Sequence, residues 1–284
     1  QVLTLSAVVT MGGSMLNDIF GLPDIIGTLI LAALCLLLVL WGAELVRKAA
    51  STMCVILMIG FIVLVGLAVH NRADEFSNMV TSWYVPEGAN VGLGVWNAIL
   101  FGFSGACNGM VLCSLMQKVK TKKHSFSTGL WCFILTSIVL IMEVLVILPY
   151  VPDVLVSEIP TLWIIDNWLV TNIPWLPALY HIIMFFALIT SGVPANQAII
   201  SRVQKILPGK GIFRHAISAK ALIGIGFLIL VLLVSRLGLT TIVSSGYSSL
   251  GAIGIPLIAI PTCIIMPIKW YRKRKEEDRN RTAS

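Results

Sequence analysis

Between Glu87 and Lys118 the chain runs for 30 residues, Gly88 to Gln117, without a charged side chain. An α-helix rises 1.5 Å per residue, so about 20 apolar residues cross the hydrocarbon of a bilayer. Comparable runs recur at 1–17, 25–43, 50–70, 92–117, 126–150, 174–200, 216–235 and 238–268. Only 12% of the residues are charged and 57% are hydrophobic, whereas a soluble domain carries about 25% charge. The bilayer is therefore the solvent. Runs this long span it as helices, which satisfy their own backbone groups. The expected fold is an all-α polytopic membrane protein of eight spans. Its transmembrane helical domain covers 1–268, and a basic tail follows at 269–284. Gln1, not Met, opens the chain and leads directly into apolar sequence. The first span is thus expected to be incomplete, with N-terminal sequence missing before it.

Orientation follows from Lys and Arg. With the first span starting inside, 18 of the 20 basic residues fall in inner segments or the tail, and only Arg72 and Arg236 fall outside. Asp18, Asp24, Asp74, Glu75, Glu87, Asp153, Glu158 and Asp166 fall in outer segments. This partition places the C-terminus in the cytoplasm. It also explains the net charge of +7 without a nucleic-acid partner. The lipid bilayer is the expected partner, and the tail's basic cluster suits an orientation anchor or contact with anionic lipid.

Two outer loops are long. Segment 70–90 mixes charge with Trp83 and Tyr84, as an interfacial segment does. Segment 151–175 is too polar to span and carries Trp163, Trp168 and Trp175. It reads as a short helix at the outer interface, a re-entrant lid, or a plain loop with aromatic anchors. The six cysteines lie in apolar runs without metal spacing, so free thiols are expected. No HExxH, GxSxG or phosphate-binding loop occurs, and an enzyme is not expected.

Polar residues inside the spans carry the functional signal. "FGFSGACNGM", 101–110, sets Gly102, Gly105 and Gly109 on one helical face beside Ser104 and Asn108. Close helix packing through small residues is one reading. A broken helix whose freed N–H and C=O groups face a solute is the other. "ALITSGVPANQ", 187–197, has Pro194 beside Thr190, Ser191, Asn196 and Gln197. Its hydroxyls suit a small hard cation such as Na⁺, or they bond back to their own helix near a proline kink. Glu143 is the acid lying well inside a span, a proton carrier or cation ligand if functional and a hydrogen-bonded structural acid if not. The outer half of the last span, "TTIVSSGYSSLGAIG", is rich in hydroxyls and fits either a water-filled vestibule or Ser/Thr packing.

These motifs and their order resemble the LeuT-fold transporters of the amino acid–polyamine–cation superfamily, and within them the YkvI-like bacterial membrane proteins. "FGFSGACNG" opens a set of five spans, "TSGVPANQ" lies on the third, and "SSGYSSLGAIG" on the fifth. The resemblance implies two inverted five-helix repeats, with 92–268 as the second and 1–70 as the remainder of the first. Two N-terminal helices would then be absent. It implies that Phe103, Ser104, Gly105, Ala106 and Asn108 line a solute site, and that Thr190 and Ser191 supply hydroxyls to a coupling Na⁺. The function implied is secondary transport of a small solute by alternating access in a bacterial inner membrane, coupled to Na⁺ or H⁺. The alternative is a non-transporting receptor or assembly subunit that keeps the fold.

Overall fold

In a computed structural model, the described residues are 1–85, 88–115, 121–206 and 216–272. Side chains at 42–44, 47, 107–115, 122 and 216–218 also lie outside the description. Lys118, Lys120, Lys210, Arg214 and the tail beyond Arg272 therefore stand outside it as well. Among the described residues every regular element is helical.

Helices α1 (Val2–Phe20) and α2 (Asp24–Leu37) form a tight pair. A π-helical turn, Leu38–Gly42, leads from α2 into α3 (Ala43–Asn71). A short amphipathic helix, α4 (Ala73–Thr81), buries none of its residues. Then come α5 (Val91–Leu115) and α6 (Lys122–Ile147). Segment 151–175, called the outer segment after its expected side, contains α7 (Pro160–Ile164), after which α8 (Leu176–Ile206), α9 (Ala216–Ser235) and α10 (Leu239–Arg272) complete the bundle.

Six helices among the described residues are long and apolar enough to cross a membrane: α1, Asp24–Trp41, Lys48–Asn71, Lys123–Tyr150, α8 and α10. Val91–Ala106 and Ala219–Ser235 are shorter apolar helices. Leu45, Val55, Phe126, Phe133, Leu233 and Leu257 are all more than half exposed. A surface this apolar suits lipid and not water. The chain is a multi-pass α-helical membrane protein.

Lipid tails are as apolar as Leu, so helices in a bilayer associate by close packing and hydrogen bonds and not by escape from water. α1 shows how. Eight of its 19 residues are buried, among them Ser6, Ala7, Gly12 and Gly13. Ser6 Oγ donates to Val231 O of α9 at 3.1 Å. Gly13 and Gly27 touch backbone to backbone, and a Cβ on Gly27 would lie 2.9 Å from Gly13 O. α1 thus packs centrally against α2, α8 and α9. By contrast, few residues of Lys123–Tyr150 and of α10 are buried; these helices form the periphery.

Segment 151–175 contains a short helical stretch over 160–169 and packs against the bundle. Its Val154, Ile164 and Ile165 are fully buried and pack with Leu64, Ala68, Val146, Leu176 and Tyr180. Arg72 fastens this segment. Its guanidinium carbon lies 3.7 Å from the Trp168 ring centroid and 5.1 Å from that of Tyr150. Nη1 donates to Pro149 O at 3.2 Å, and Asp153 Oδ2 lies 3.9 Å away. Tyr150 accepts from Asn71 Nδ2 at 3.2 Å and donates to Ala68 O at 3.4 Å. One of the two basic residues outside the inner partition is thus an arginine with a specific packing role.

Candidate functional site

A cavity of about 530 Å³ opens between α1, α3, α6, α8, the outer segment and the start of α10. Ala7, Val8 and Met11 of α1 supply one apolar wall, while Phe61 and Met184 supply another. Ser157, Glu158, Ile159, Pro160 and Thr161 come from the outer segment. Segment 151–175 thus contributes one wall of this cavity, called the lid below.

Polar groups enter from three helices. Glu143 of α6 is exposed to the cavity. Tyr180 of α8 is buried and lines the cavity with Thr161 of the outer segment. Thr240, Ser244 and Tyr247 line the α10 side. Thr240 Oγ1 donates to Glu158 Oε1 at 3.0 Å, tying the lid to α10, and Tyr247 pairs with Thr4 of α1. Thr240, Ser244 and Tyr247 of the hydroxyl-rich stretch 240–254 therefore lie on a cavity wall, and Ser244 Oγ also donates to Thr240 O within its own helix.

A second cavity, about 270 Å³, shares Ser157, Glu158 and Ile159 with the first and adds Ser14, Asp18, Asp166 and Asn167. Asp166 lies on the outer segment, outside the spans. Burial pushes its carboxyl above the usual carboxylate range; nearby His181 lowers it and Asp18 raises it.

α5 departs from the broken-helix expectation. It is α-helical without interruption from Val91 to Leu115, so 101–110 frees no backbone groups. Glycine costs a helix about 1 kcal/mol relative to alanine, whereas an unpaired backbone group in lipid costs several; the helix stays intact. Packing through this glycine face does not account for Gly102 and Gly105 either, since a Cβ on either would meet nothing within 4 Å. The close approach comes from the other side: a Cβ on Gly251 of α10 would lie 2.6 Å from Leu100 C. Irregularity belongs to α10, where π-helical turns occur at Ile242–Tyr247, Ile255–Ala259 and Pro261–Ile265. Pro256 and Pro261 open the last two, each lacking the N–H an α-turn requires.

Of the α5 residues expected at a solute site, Ser104 is buried and donates Oγ–H to Phe101 O at 2.7 Å. Phe103 is partly buried, while Gly105 and Ala106 are exposed. The Asn108 side chain lies outside the described residues. Neither Phe103, Ser104, Gly105 nor Ala106 lines the 530 Å³ cavity. The link is indirect: Phe101 packs edge-to-face on Tyr247 at 6.2 Å between centroids.

Thr190 and Ser191 are also off that wall. Thr190 Oγ1 donates to Ala187 O at 2.9 Å, bonding back to its own helix, and Ser191 is exposed. Nearby Asn196 is fully buried with both amide atoms unpaired, and Gln197 Oε1 is likewise unpaired.

The sequence reading missed Tyr180, Glu158 and Thr161. Glu158 and Thr161 lay in a loop whose inward fold had no local signal. Tyr180 could have been found as a polar aromatic within a span, directly before His181. No family model, curated protein or solved structure matches this chain.

Proposed function

We propose that this protein is a secondary transporter that moves a small solute by alternating access. The observation that carries the proposal is the 530 Å³ cavity: it sits among membrane spans, bears an intramembrane carboxyl, and is roofed by a lid joined to α10 by one hydrogen bond. An ionisable group within a span is expensive and marks solute or proton pathways by default. The Glu158–Thr240 bond is one polar latch between the lid and α10, set on a segment that its buried residues and Arg72 hold in place, and breaking it suits a gate.

In this reading the LeuT-like arrangement supplies two halves that rock about the cavity. α5 is the moving neighbour, coupled to the cavity wall through Phe101 and Tyr247. Its 103–108 segment, Phe103, Ser104, Gly105, Ala106 and Asn108, reaches the solute in the second state. Coupling runs through H⁺ at Glu143 or Na⁺ at Thr190 and Ser191. Donation from Thr190 Oγ1 to Ala187 O leaves the oxygen's lone pairs for a cation. The C-terminus faces the cytoplasm of a bacterial inner membrane, following the basic-residue partition.

Flux in proteoliposomes tests this. Solute binding without flux would favour a receptor that keeps the fold and would refute transport. Thr190→Ala plus Ser191→Ala should abolish sodium dependence; an unchanged sodium-dependent uptake removes that site. Glu143→Gln should alter the pH profile of uptake, and an unaltered profile removes Glu143 as proton carrier.

A further inference from the structure

His181 of α8 carries a buried ring nitrogen without a partner. Its Nδ1 lies 2.7 Å from Pro177 O, one turn earlier in the helix. A carbonyl only accepts, so Nδ1 holds the proton, and the lone pair of the neutral ring is left on Nε2. Nε2 is shut off from solvent and makes no hydrogen bond among the described residues. Asp166 feels the charge of this ring, but it lines the 270 Å³ cavity and makes no bond to Nε2. His181 borders a third cavity, of about 10 Å³, at the lower limit for a single water. Three methionines border it too: Met11 and Met15 of α1, and Met184 of α8. Residues three or four apart share a helical face. Met11 and Met15 therefore meet His181 and Met184 across the α1–α8 contact. Methionine by itself is core filling. A buried imidazole lone pair among three thioethers is not, because an acceptor left unpaired costs stability.

The donor set decides which ligand suits this place. Thioethers are soft ligands and select Cu(I), and imidazole serves copper as well. Zinc takes thiolate, imidazole and carboxylate, and hard cations take convergent oxygens. The lining holds no carboxylate and no thiol. The cost of burying an ion grows with the square of its charge, so a neutral donor set favours a monovalent one. His181 is already arranged as metal-bound histidines are: its other nitrogen donates to a backbone carbonyl, which fixes the tautomer and the ring. We infer that Met11, Met15, Met184 and His181 Nε2 form a site for a soft monovalent metal ion, with Cu(I) as its biological occupant. Met11 and Met184 also line the 530 Å³ cavity, so the ion bridges α1 and α8 at that cavity's wall. The inference does not depend on transport.

The test uses the full chain in detergent and chloride-free buffer, with its methionine ε-methyl groups labelled with carbon-13. The probes are Ag(I), a redox-stable equivalent of Cu(I), then Cu(I) kept reduced with ascorbate, and Zn(II). Ag(I) and Cu(I) are expected to shift the methyl signals of Met11, Met15 and Met184, assigned by Met→Leu at each position. Zn(II) is expected to leave them unmoved. This readout separates the site from the six cysteines, which also take soft ions. Affinity is read at the same signals by competition with a Cu(I) chelator. Met11→Leu plus Met184→Leu nearly conserves volume. Read at Met15, it is expected to weaken the site by at least about tenfold, since even partners behind a ligand contribute that much. His181→Phe is expected to do the same and serves as the second variant if the double variant does not fold. Soft-ion binding with the three methyl signals unmoved would overturn the inference. So would equal shifts with Zn(II), or wild-type affinity in either folded variant.

Discussion

Replacing Gly251 by alanine should force α5 and α10 apart, whereas the same change at Gly102 should not. A Cβ on Gly251 would meet Leu100 C at 2.6 Å and Leu100 Cα at 2.8 Å, with Leu100 O closer still. Ordinary contact begins at 3.4 Å, so the backbones must separate by roughly 0.8 Å or more, as distances of this kind reflect hard-sphere repulsion. Neither partner is a flexible side-chain tip, so rotamer adjustment cannot absorb the strain. Overpacking of this kind costs about 1–3 kcal/mol. Alanine's helix propensity returns about 1 kcal/mol, leaving a net loss of about 0–2 kcal/mol. A larger side chain, Gly251→Val, removes the ambiguity at the lower end by adding volume at the same contact. At Gly102 nothing lies within 4 Å, and Gly102→Ala should be neutral or stabilising by up to about 1 kcal/mol. The assay is thermal unfolding of the purified variants in one detergent, paired with disulfide trapping between cysteines introduced on α5 and α10 beside the Leu100–Gly251 contact, with positions 100, 102 and 251 left free. Trapping should slow in Gly251→Val and remain at wild-type rate in Gly102→Ala. If Gly251→Val unfolds like the wild type while Gly102→Ala is destabilised, the α5–α10 contact described here is wrong.

Other outcomes follow from the same geometry. Arg72→Ala should destabilise the outer segment by about 1–3 kcal/mol through lost stacking and a lost charged hydrogen bond, seen as faster amide exchange over 148–169. Arg72→Lys should rescue little of this, because an ammonium lacks the planar stacking face; full rescue would show that charge alone matters. Asp166 has a raised carboxyl pKa from burial and Asp18, opposed by His181. Its contribution is therefore fully present below the usual carboxylate range and is lost as pH rises through the raised value. Asp166→Asn should raise the melting temperature at neutral pH, and the gain should vanish on acidification; a pH-independent gain would refute the assignment. Asn196→Leu should stabilise the protein by about 1–3 kcal/mol, because it removes a buried amide with no partner. A loss of stability there would show that the amide holds something essential.

The membrane class and most span positions were legible because hydropathy and charge report directly on solvent. Predicted spans 25–43 and 50–70 correspond to apolar helices at Asp24–Trp41 and Lys48–Asn71. Glu143 was legible too, since a lone acid within an apolar run is rare enough to stand out. The continuity of α5 was not. Glycine spacing reports what a helix tolerates, and lipid holds together a helix that water would fray. Nor could spacing say which glycine touches a neighbour: Gly251 does so, while Gly102 and Gly105 face open space. A lid was one of three readings of segment 151–175, and nothing local chose among them. Ser157, Glu158 and Thr161 reach the cavity only because Ile164 and Ile165 bury themselves beneath Trp168 and Arg72, a long-range consequence with no local pattern.

The π-helical turns of α10 bear on how this helix can vary. A π-turn closes its hydrogen bond one residue later than an α-turn and so stores one extra residue without rotating the helix beyond it. Three such turns lie between Ile242 and Ile265. Each is a point where a single codon can be lost and the flanks keep their faces. The proline pair at Pro256 and Pro261 makes such loss harder, since a regular α-turn there would need an N–H that neither supplies. The turn at Ile242–Tyr247 has no proline. It is the place where α10 can shorten by one residue, and because Tyr247 ends it, that shortening would act directly on the cavity wall.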